Sequence, residues 1–118
     1  MGVKMACLVV NCERVGLVTH ELKGNSVMIG RALLNHIVID HPTVSAQHAM
    51  LLRVGDSYWL KDLNSMNGTL VNNVLVSDAK LKDGDTIRFG SVLTVFTGRC
   101  RKRRSTWGIR KFWTNVSA

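Results

Sequence analysis

The chain has 118 residues, of which 46% are hydrophobic, with ten glycines and one proline. That length suits one domain with a buried core and is too short for two ordinary domains. No apolar run approaches the ~20 residues of a membrane-spanning helix, and the run over residues 5–10 is too short for the core of a signal peptide. We therefore expect neither secretion nor membrane insertion nor disorder.

The net charge of +8 is unevenly distributed along the chain. Residues 1–98 carry a net charge of +1, whereas residues 99–118 carry +7 and contain no acidic residue. This contrast predicts two parts, a body over residues 1–98 and a basic C-terminal tail over residues 99–118.

Three cysteines are present, Cys7, Cys12 and Cys100. On one strand, residues five apart point to opposite faces, so Cys7 and Cys12 cannot form a disulfide with each other. No Cys-x-x-Cys or His-x-x-x-His spacing occurs, so we expect no metal site and no cofactor. Reduced thiols in the cytoplasm are the expectation, with the nucleus as the alternative if the source is eukaryotic.

Short runs rich in Val, Ile, Leu and Thr recur along the body, separated by turn residues, which is the pattern of β-strands. Gly55-Asp56 and Asn72-Asn73 suit tight hairpins that need positive φ, and no window of the body keeps a helical apolar period over three turns. The pattern predicts an all-β, antiparallel sandwich. The predicted strands cover residues 5–11, 17–22, 26–30, 37–39, 47–54, 57–62, 69–71, 74–76, 85–89 and 91–97.

Polar residues stand where the predicted strands end. Gly30-Arg31 ends one strand, residues 43–48 lead into another, and residues 64–69 join two more. Loops of a sandwich cluster at its two ends, so these segments can converge. Together they offer a guanidinium, hydroxyls, amides and backbone N–H groups without a carboxylate, and such a donor set suits an anion.

Three motifs, in order and at family-like spacing, resemble those of the forkhead-associated (FHA) domain: Gly30-Arg31, Ser45-x-x-His48, and Asn67-Gly68-Thr69 with Asn72 shortly after. The resemblance covers about residues 5–97. It implies an FHA/SMAD-like β-sandwich of about eleven strands, a non-catalytic module that binds threonine-phosphorylated peptides or proteins through loops at one end.

The resemblance also implies the roles of individual residues. Arg31 would pair with the phosphate, because a guanidinium fork matches its several acceptor oxygens. Ser45 would donate its hydroxyl, Ala46 its backbone N–H, and Asn67 would hold the ligand backbone. The candidate phosphopeptide-binding residues are Arg31, Ser45, Ala46, Asn67, Thr69 and Asn72, and the residues expected to support them structurally are Gly30, His48 and Gly68.

Each of these residues also has an ordinary structural interpretation without ligand contact. Arg31 could be an exposed surface arginine, Ser45 a turn-capping serine, and Asn67 a left-handed turn residue. One departure weakens the phosphate site. Many family members have Arg, Lys or Asn where this chain has Ala46, and one lost charge-assisted hydrogen bond is worth about 1.5–3 kcal/mol. A phosphate-independent interaction or oligomerisation domain is therefore the first alternative function.

Hydrolase activity would require a catalytic triad, for which the candidates are Ser45, His48 and Asp62. The three-residue spacing from Ser45 to His48, leading into a strand, aims these side chains poorly for a nucleophile and its base. The sequence also lacks a Gly-x-Ser-x-Gly elbow and a Walker-type phosphate loop. We expect no catalytic residues.

The tail offers two further hypotheses. Ile109, Phe112, Trp113 and Val116 are spaced for one side of a short amphipathic helix, which alone is marginal and needs a partner surface. Docking on the sandwich or on another copy ranks first, and an anionic membrane or nucleic acid ranks lower. Thr106 follows Arg103-Arg104-Ser105 as a possible regulatory phosphosite, which would allow self-association, although an unmodified threonine is the commoner case.

Overall fold

The computed structural model describes residues 6–100, which form eleven β-strands and no helix. The predicted all-β sandwich is confirmed. In chain order the strands are β1 (Cys7–Cys12), β2 (Gly16–Glu21), β3 (Ser26–Gly30), β4 (Ile37–Val38), β5 (Ala49–Val54), β6 (Ser57–Asp62), β7 (Thr69–Val71), β8 (Val74–Val76), β9 (Asp78–Lys80), β10 (Thr86–Phe89) and β11 (Val92–Thr97).

The strands form two sheets, one with the order β2-β1-β11-β10-β7-β8 and the other with the order β4-β3-β5-β6-β9. Neighbouring strands pair antiparallel in both sheets with one exception, since β4 pairs parallel to β3. The predicted antiparallel sandwich therefore contains one parallel pair of strands. The loop over residues 31–36 brings the chain back beside β3, so that β4 runs in the same direction.

The sequence pattern did not predict one of these strands, β9. β9 has the sequence Asp78-Ala79-Lys80, which lacks the β-branched and aromatic residues typical of strands. It is a strand because it pairs with the edge of β6, where Leu60 lies opposite Ala79. Tertiary pairing rather than local preference therefore decides its conformation.

The hairpin turns adopt the backbone conformations that their residues predicted. Gly55 has a φ of 62°, and Asn72 and Asn73 have φ values of 50° and 70°. Glycine and asparagine tolerate this left-handed region better than other residues, which is why these dipeptides make tight hairpins. The two turns set the registers of β5 with β6 and of β7 with β8.

The core lies between the two sheets and is formed by alternate residues of the strands. Ile29, Leu51 and Leu60 in one sheet, and Ile87 and Phe89 in the other, are almost completely buried. Their alternation with more exposed neighbours follows from the two-residue period of a strand. This packing holds the strand ends, and thus the connecting loops, in fixed positions.

Several connections meet at one end of the sandwich. Hydrogen bonds join the segment after β3 to the loop between β4 and β5, and that loop to the β6–β7 loop and to Ser91 after β10. We call this the loop end, comprising residues 31–35, 43–46, 64–68 and 90–91. The Gly55 and Asn72-Asn73 turns and the end of β11 lie at the opposite end of the strands.

A disulfide joins Cys7 to Cys100, whose Cα atoms are 5.3 Å apart, while Cys12 is a buried free cysteine. The expectation that all three cysteines are reduced is wrong for this pair. The register places Cys7 opposite Thr97, so the chain just beyond β11 returns to Cys7. Sequence spacing alone does not show this proximity across 93 residues.

Within residues 6–100, no helix is long and apolar enough to cross a membrane. The predicted short helix near the C-terminus and the candidate phosphosite Thr106 lie outside the described residues. The division of the chain at residue 98 therefore stays a prediction.

Removal of the disulfide is expected to destabilise the fold. In Cys100→Ser, the unfolded chain regains the freedom of a loop closed over 93 residues, and such a loss typically costs about 2–4 kcal/mol. The measurement is the free energy of unfolding in urea. Wild-type protein treated with a reductant should match Cys100→Ser, and an unchanged midpoint in both cases would contradict the structural role of the bridge.

Candidate functional site

Arg31 begins the loop end directly after β3. Its backbone N–H donates to the Ser45 carbonyl at 3.0 Å, and its Nε donates to the Val44 carbonyl at 3.0 Å. No carboxylate of residues 6–100 lies within 4.0 Å of the exposed guanidinium. The Nε bond fixes the direction of the side chain and leaves the terminal N–H groups available to an anion.

Ser45 and Ala46 lie in the loop between β4 and β5. The Ser45 hydroxyl oxygen accepts the Met66 N–H at 2.9 Å, so its own hydrogen can be donated elsewhere. The Ala46 carbonyl accepts the Asn35 side-chain amide at 2.7 Å and the Ala32 N–H at 3.2 Å. Ala46 is exposed and its methyl group offers no polar contact, so any bond to a ligand would come from its backbone.

Asn67 reaches the same loop from the connection between β6 and β7. Its Nδ2 donates to the Thr43 carbonyl at 2.8 Å, while the residue itself remains exposed. The amide oxygen and the second amide hydrogen can therefore serve a ligand backbone. The structure thus brings Arg31, Ser45 and Asn67 to one loop, although their contacts with a phosphopeptide stay predictions.

His48 is fully buried and supports the loops that carry Ser45 and Asn67. Its Nδ1 accepts the Ser45 N–H at 3.1 Å, and its Nε2 lies 2.9 Å from the Gly68 carbonyl. Because Nδ1 is an acceptor, Nε2 carries the hydrogen and donates it to Gly68. The ring therefore ties the Ser45 loop to the Asn67 loop without facing the ligand side.

Gly30 and Asn35 hold the loop segment around Arg31. A side chain at position 30 would collide with the Ala46 carbonyl, so only glycine allows these backbones to approach. Asn35 is buried, and its amide donates to the carbonyls of Ala32 and Ala46. The sequence analysis did not assign Asn35 a role. The pattern that could have indicated this role is a polar residue just before an apolar strand.

Asp62 is the second supporting residue that the sequence analysis missed. Its carboxylate accepts the Ser65 N–H at 3.0 Å, the Ser65 hydroxyl at 2.6 Å and the Thr69 hydroxyl at 2.6 Å. Burial by itself raises the pKa of Asp62, but the hydrogen bonds from Ser65 and Thr69 outweigh it, so the pKa lies below its ordinary value. Aspartate three residues before serine is the signal that could have shown this turn.

Two predicted ligand contacts are wrong. Thr69 is completely buried and its hydroxyl donates to Asp62, so it supports the Asn67 loop instead of touching a peptide. Asn72 lies at the opposite end of β7, where its amide donates to Asp85 and its oxygen accepts the Thr86 N–H, each at 3.0 Å. Both bonds stabilise the hairpin turn, away from Arg31 and Ser45.

Large apolar side chains surround the polar site. Leu33 and Leu34, in the turn after Arg31, are 89% and 91% exposed, and Met66 beside Asn67 is 87% exposed. Asn35 closes the Leu33-Leu34 turn through its N–H and its side-chain amide, both bonded to the Ala32 carbonyl. The site therefore combines anion donors with an apolar rim.

The same contacts bear on hydrolase chemistry. His48 bonds the backbone of Ser45 rather than its hydroxyl, the Ser45 oxygen accepts from Met66, and Asp62 bonds Ser65 and Thr69. Ser45, His48 and Asp62 thus do not form the hydrogen-bonded relay of a nucleophile, a base and an orienting acid.

Residues 27–90 match the family model of the FHA domain, and this match takes in more than half of the chain. The chain belongs to the FHA domain family. The ABC transporter ATP-binding/permease protein Rv1747 of Mycobacterium tuberculosis is 40% identical over 91 residues, which are 77% of this chain and 10% of that protein. The matched regions make up 14% of FhaA from the same organism and 46% of the oxoglutarate dehydrogenase inhibitor of Corynebacterium jeikeium, so the chain corresponds to part of each relative.

Solved structures give the same family. The FhaA FHA domain complexed with the intracellular domain of Rv3910 matches with a TM-score of 0.71 and 34% identity, covering 77% of this chain and 98% of that chain. Mycobacterium tuberculosis EmbR in complex with a low affinity phosphopeptide matches with a TM-score of 0.72 and 30% identity, covering 82% of this chain and 26% of that chain.

The Asp62 carboxylate makes the stability of the site depend on pH. Its lowered pKa means that its stabilisation is complete above the unfolded value, near pH 3.9, and is lost as the pH falls through the folded value. The difference in unfolding free energy between wild type and Asp62→Asn should therefore shrink from about pH 6 to about pH 3. Asp56→Asn, in the exposed turn at the opposite end, is the matched control, and a constant difference for Asp62→Asn would contradict the assignment.

Proposed function

We propose that this chain is a non-catalytic signalling module that binds threonine-phosphorylated proteins at the loop end. The observation that carries this proposal is the convergence of Arg31, Ser45 and Asn67 on the β4–β5 loop. Each keeps donors free for a ligand, and a phosphoryl group of nearly two negative charges is the anion that such a set recognises best. Membership of the FHA family supports the choice of phosphothreonine.

The apolar rim supports a peptide rather than free phosphate as the ligand. Leu33, Leu34 and Met66 offer exposed apolar surface beside the polar site, and burying such surface against peptide side chains is favourable. With one arginine, one hydroxyl and few backbone donors, and with Ala46 adding no charge, we expect roughly micromolar affinity, about 8 kcal/mol.

A cytoplasmic location is part of the proposal, because threonine phosphorylation needs kinases that use ATP. The disulfide between Cys7 and Cys100 counts against this location, because cytosolic reductants keep most cysteine pairs as thiols. Binding of nucleic acid or an anionic membrane through the basic residues 99–118 is the lower-ranked alternative.

Replacement of Arg31 by alanine is expected to weaken phosphopeptide binding by at least about tenfold, because a charge-assisted hydrogen bond is lost. The measurement is fluorescence anisotropy with an oriented library of phosphothreonine peptides and its unphosphorylated counterpart. Arg99→Ala is the matched control, because Arg99 is exposed at the opposite end of the sandwich.

The result separates the two candidate functions. Binding that needs the phosphate, falls in Arg31→Ala and is kept in Arg99→Ala supports the phosphothreonine module. Equal binding of phosphorylated and unphosphorylated peptides would favour the phosphate-independent interaction domain. Unchanged affinity of Arg31→Ala for the phosphorylated peptide would refute the assignment of this site.

Phosphorylated Thr106 as a ligand for another copy is a finer part of the proposal. The described residues end at Cys100, at the end of the sandwich opposite the loop end, and the ligand site could belong to the same chain or to a neighbouring copy. Phosphorylation at Thr106 should then raise the mass measured by light scattering, and Arg31→Ala should restore the monomer. Equal masses before and after phosphorylation would end the idea.

A further inference from the structure

Asn67 is followed directly by Gly68, and an asparagine before a glycine occurs once in the sequence. The other asparagines of the chain precede larger residues. The structure accounts for both residues of this pair. Asn67 bonds the Thr43 carbonyl in the candidate site. Gly68 has a φ of 85°, and a Cβ atom at its position would lie 2.7 Å from the Leu75 side chain. Glycine therefore fits position 68 better than any other residue.

This dipeptide is the one in which an asparagine side chain is lost most readily as ammonia, because no side chain on glycine hinders the reaction. The glycine nitrogen gives its hydrogen to a base in the solvent and attacks the asparagine Cγ. The bond between Cγ and Nδ2 breaks, ammonia takes up a proton and leaves, and a cyclic imide forms. Water then opens the imide at either carbonyl and gives aspartate or isoaspartate.

In the loop end, both reacting groups are held by hydrogen bonds. The Asn67 Nδ2 donates to the Thr43 carbonyl at 2.8 Å, and the Gly68 N–H donates to the Ser65 hydroxyl oxygen at 3.0 Å. The reaction removes the hydrogen that Gly68 shares with Ser65 and the amide that Asn67 shares with Thr43. Both hydrogen bonds must therefore break before the imide can form.

Further contacts keep Gly68 in this position. The Ser65 hydroxyl donates to Asp62 at 2.6 Å, which orients the oxygen that accepts the Gly68 N–H. The Gly68 carbonyl lies 2.9 Å from His48 Nε2 and accepts the Gly90 N–H at 3.2 Å. A glycine bonded through both its N–H and its carbonyl reacts only when this part of the structure opens, so the rate depends on local opening.

We propose that Asn67 is a site of spontaneous deamidation, which the hydrogen bonds of Asn67 and Gly68 suppress in the folded loop end. The product has a carboxylate where the site had a neutral donor. An aspartate at position 67 cannot donate to the Thr43 carbonyl, and its negative charge repels a phosphoryl group, so the site loses its ligand. This consequence rests on the proposed phosphopeptide function, whereas the modification itself does not.

The modification is tested by mass spectrometry of the full chain after incubation at mildly alkaline pH. Peptides that contain position 67 should gain the mass of conversion from amide to acid, faster in urea than in the folded protein. Ser65→Ala removes the acceptor of the Gly68 N–H, and the loss of one such hydrogen bond should raise the rate in the folded protein by about two- to tenfold. Ser57→Ala, in β6 at the opposite end, is the matched control and should leave the rate unchanged.

Three results would overturn the proposed modification. The first is an equal rate in folded and urea-unfolded wild type, and the second is the absence of conversion at position 67 in the unfolded chain. The third is a folded Ser65→Ala protein that reacts no faster than Ser57→Ala. If Ser65→Ala fails to fold, the comparison of folded with unfolded wild type still decides.

The effect on binding is measured with the phosphothreonine peptide library and two variants, Asn67→Asp and Asn67→Ala. Both lack the hydrogen bond to Thr43, so several-fold weaker binding by Asn67→Asp than by Asn67→Ala reports the added charge, and the difference should narrow as salt is added. Equal binding by the two variants would refute this consequence and leave the proposed function standing. Wild type that shows no preference for phosphorylated peptides would refute the proposed function, and this consequence with it.

Discussion

Four consecutive backbone carbonyls in the β4–β5 loop organise the candidate site. The carbonyl of Thr43 accepts from Asn67, those of Val44 and Ser45 accept from Arg31, and that of Ala46 accepts from Asn35. Backbone acceptors in a folded loop need such partners, because an unsatisfied buried carbonyl is costly. The same bonds that satisfy the loop orient Arg31 and Asn67, two of the side chains proposed to contact the ligand. Fold stability and ligand recognition therefore depend on one set of contacts.

A second set of hydrogen bonds, made by His48 and Asp62, holds this arrangement in place. His48 connects the backbones of Ser45 and Gly68, and Asp62 collects three hydrogen bonds from Ser65 and Thr69. A site already held in its binding geometry loses less conformational entropy when a ligand arrives. In the proposed function, we expect this preorganisation to offset part of the affinity lost because Ala46 has no basic side chain.

The candidate site and the disulfide lie at opposite ends of the sandwich. The loops that carry the donors meet at the loop end, while the disulfide between Cys7 and Cys100, which are 93 residues apart in the sequence, lies at the other end.

Local sequence determined the strands with apolar alternation, the positive-φ turns at Gly55 and Asn72, and the motif residues Arg31, Ser45 and Asn67. These features follow from side-chain periodicity and backbone sterics within a few residues. Tertiary structure decided the rest: β9 forms through pairing with β6, Thr69 turns inward to Asp62, and Cys7 meets Cys100. Each of these depends on strand register or on a partner distant in the chain, which short-range preference does not encode.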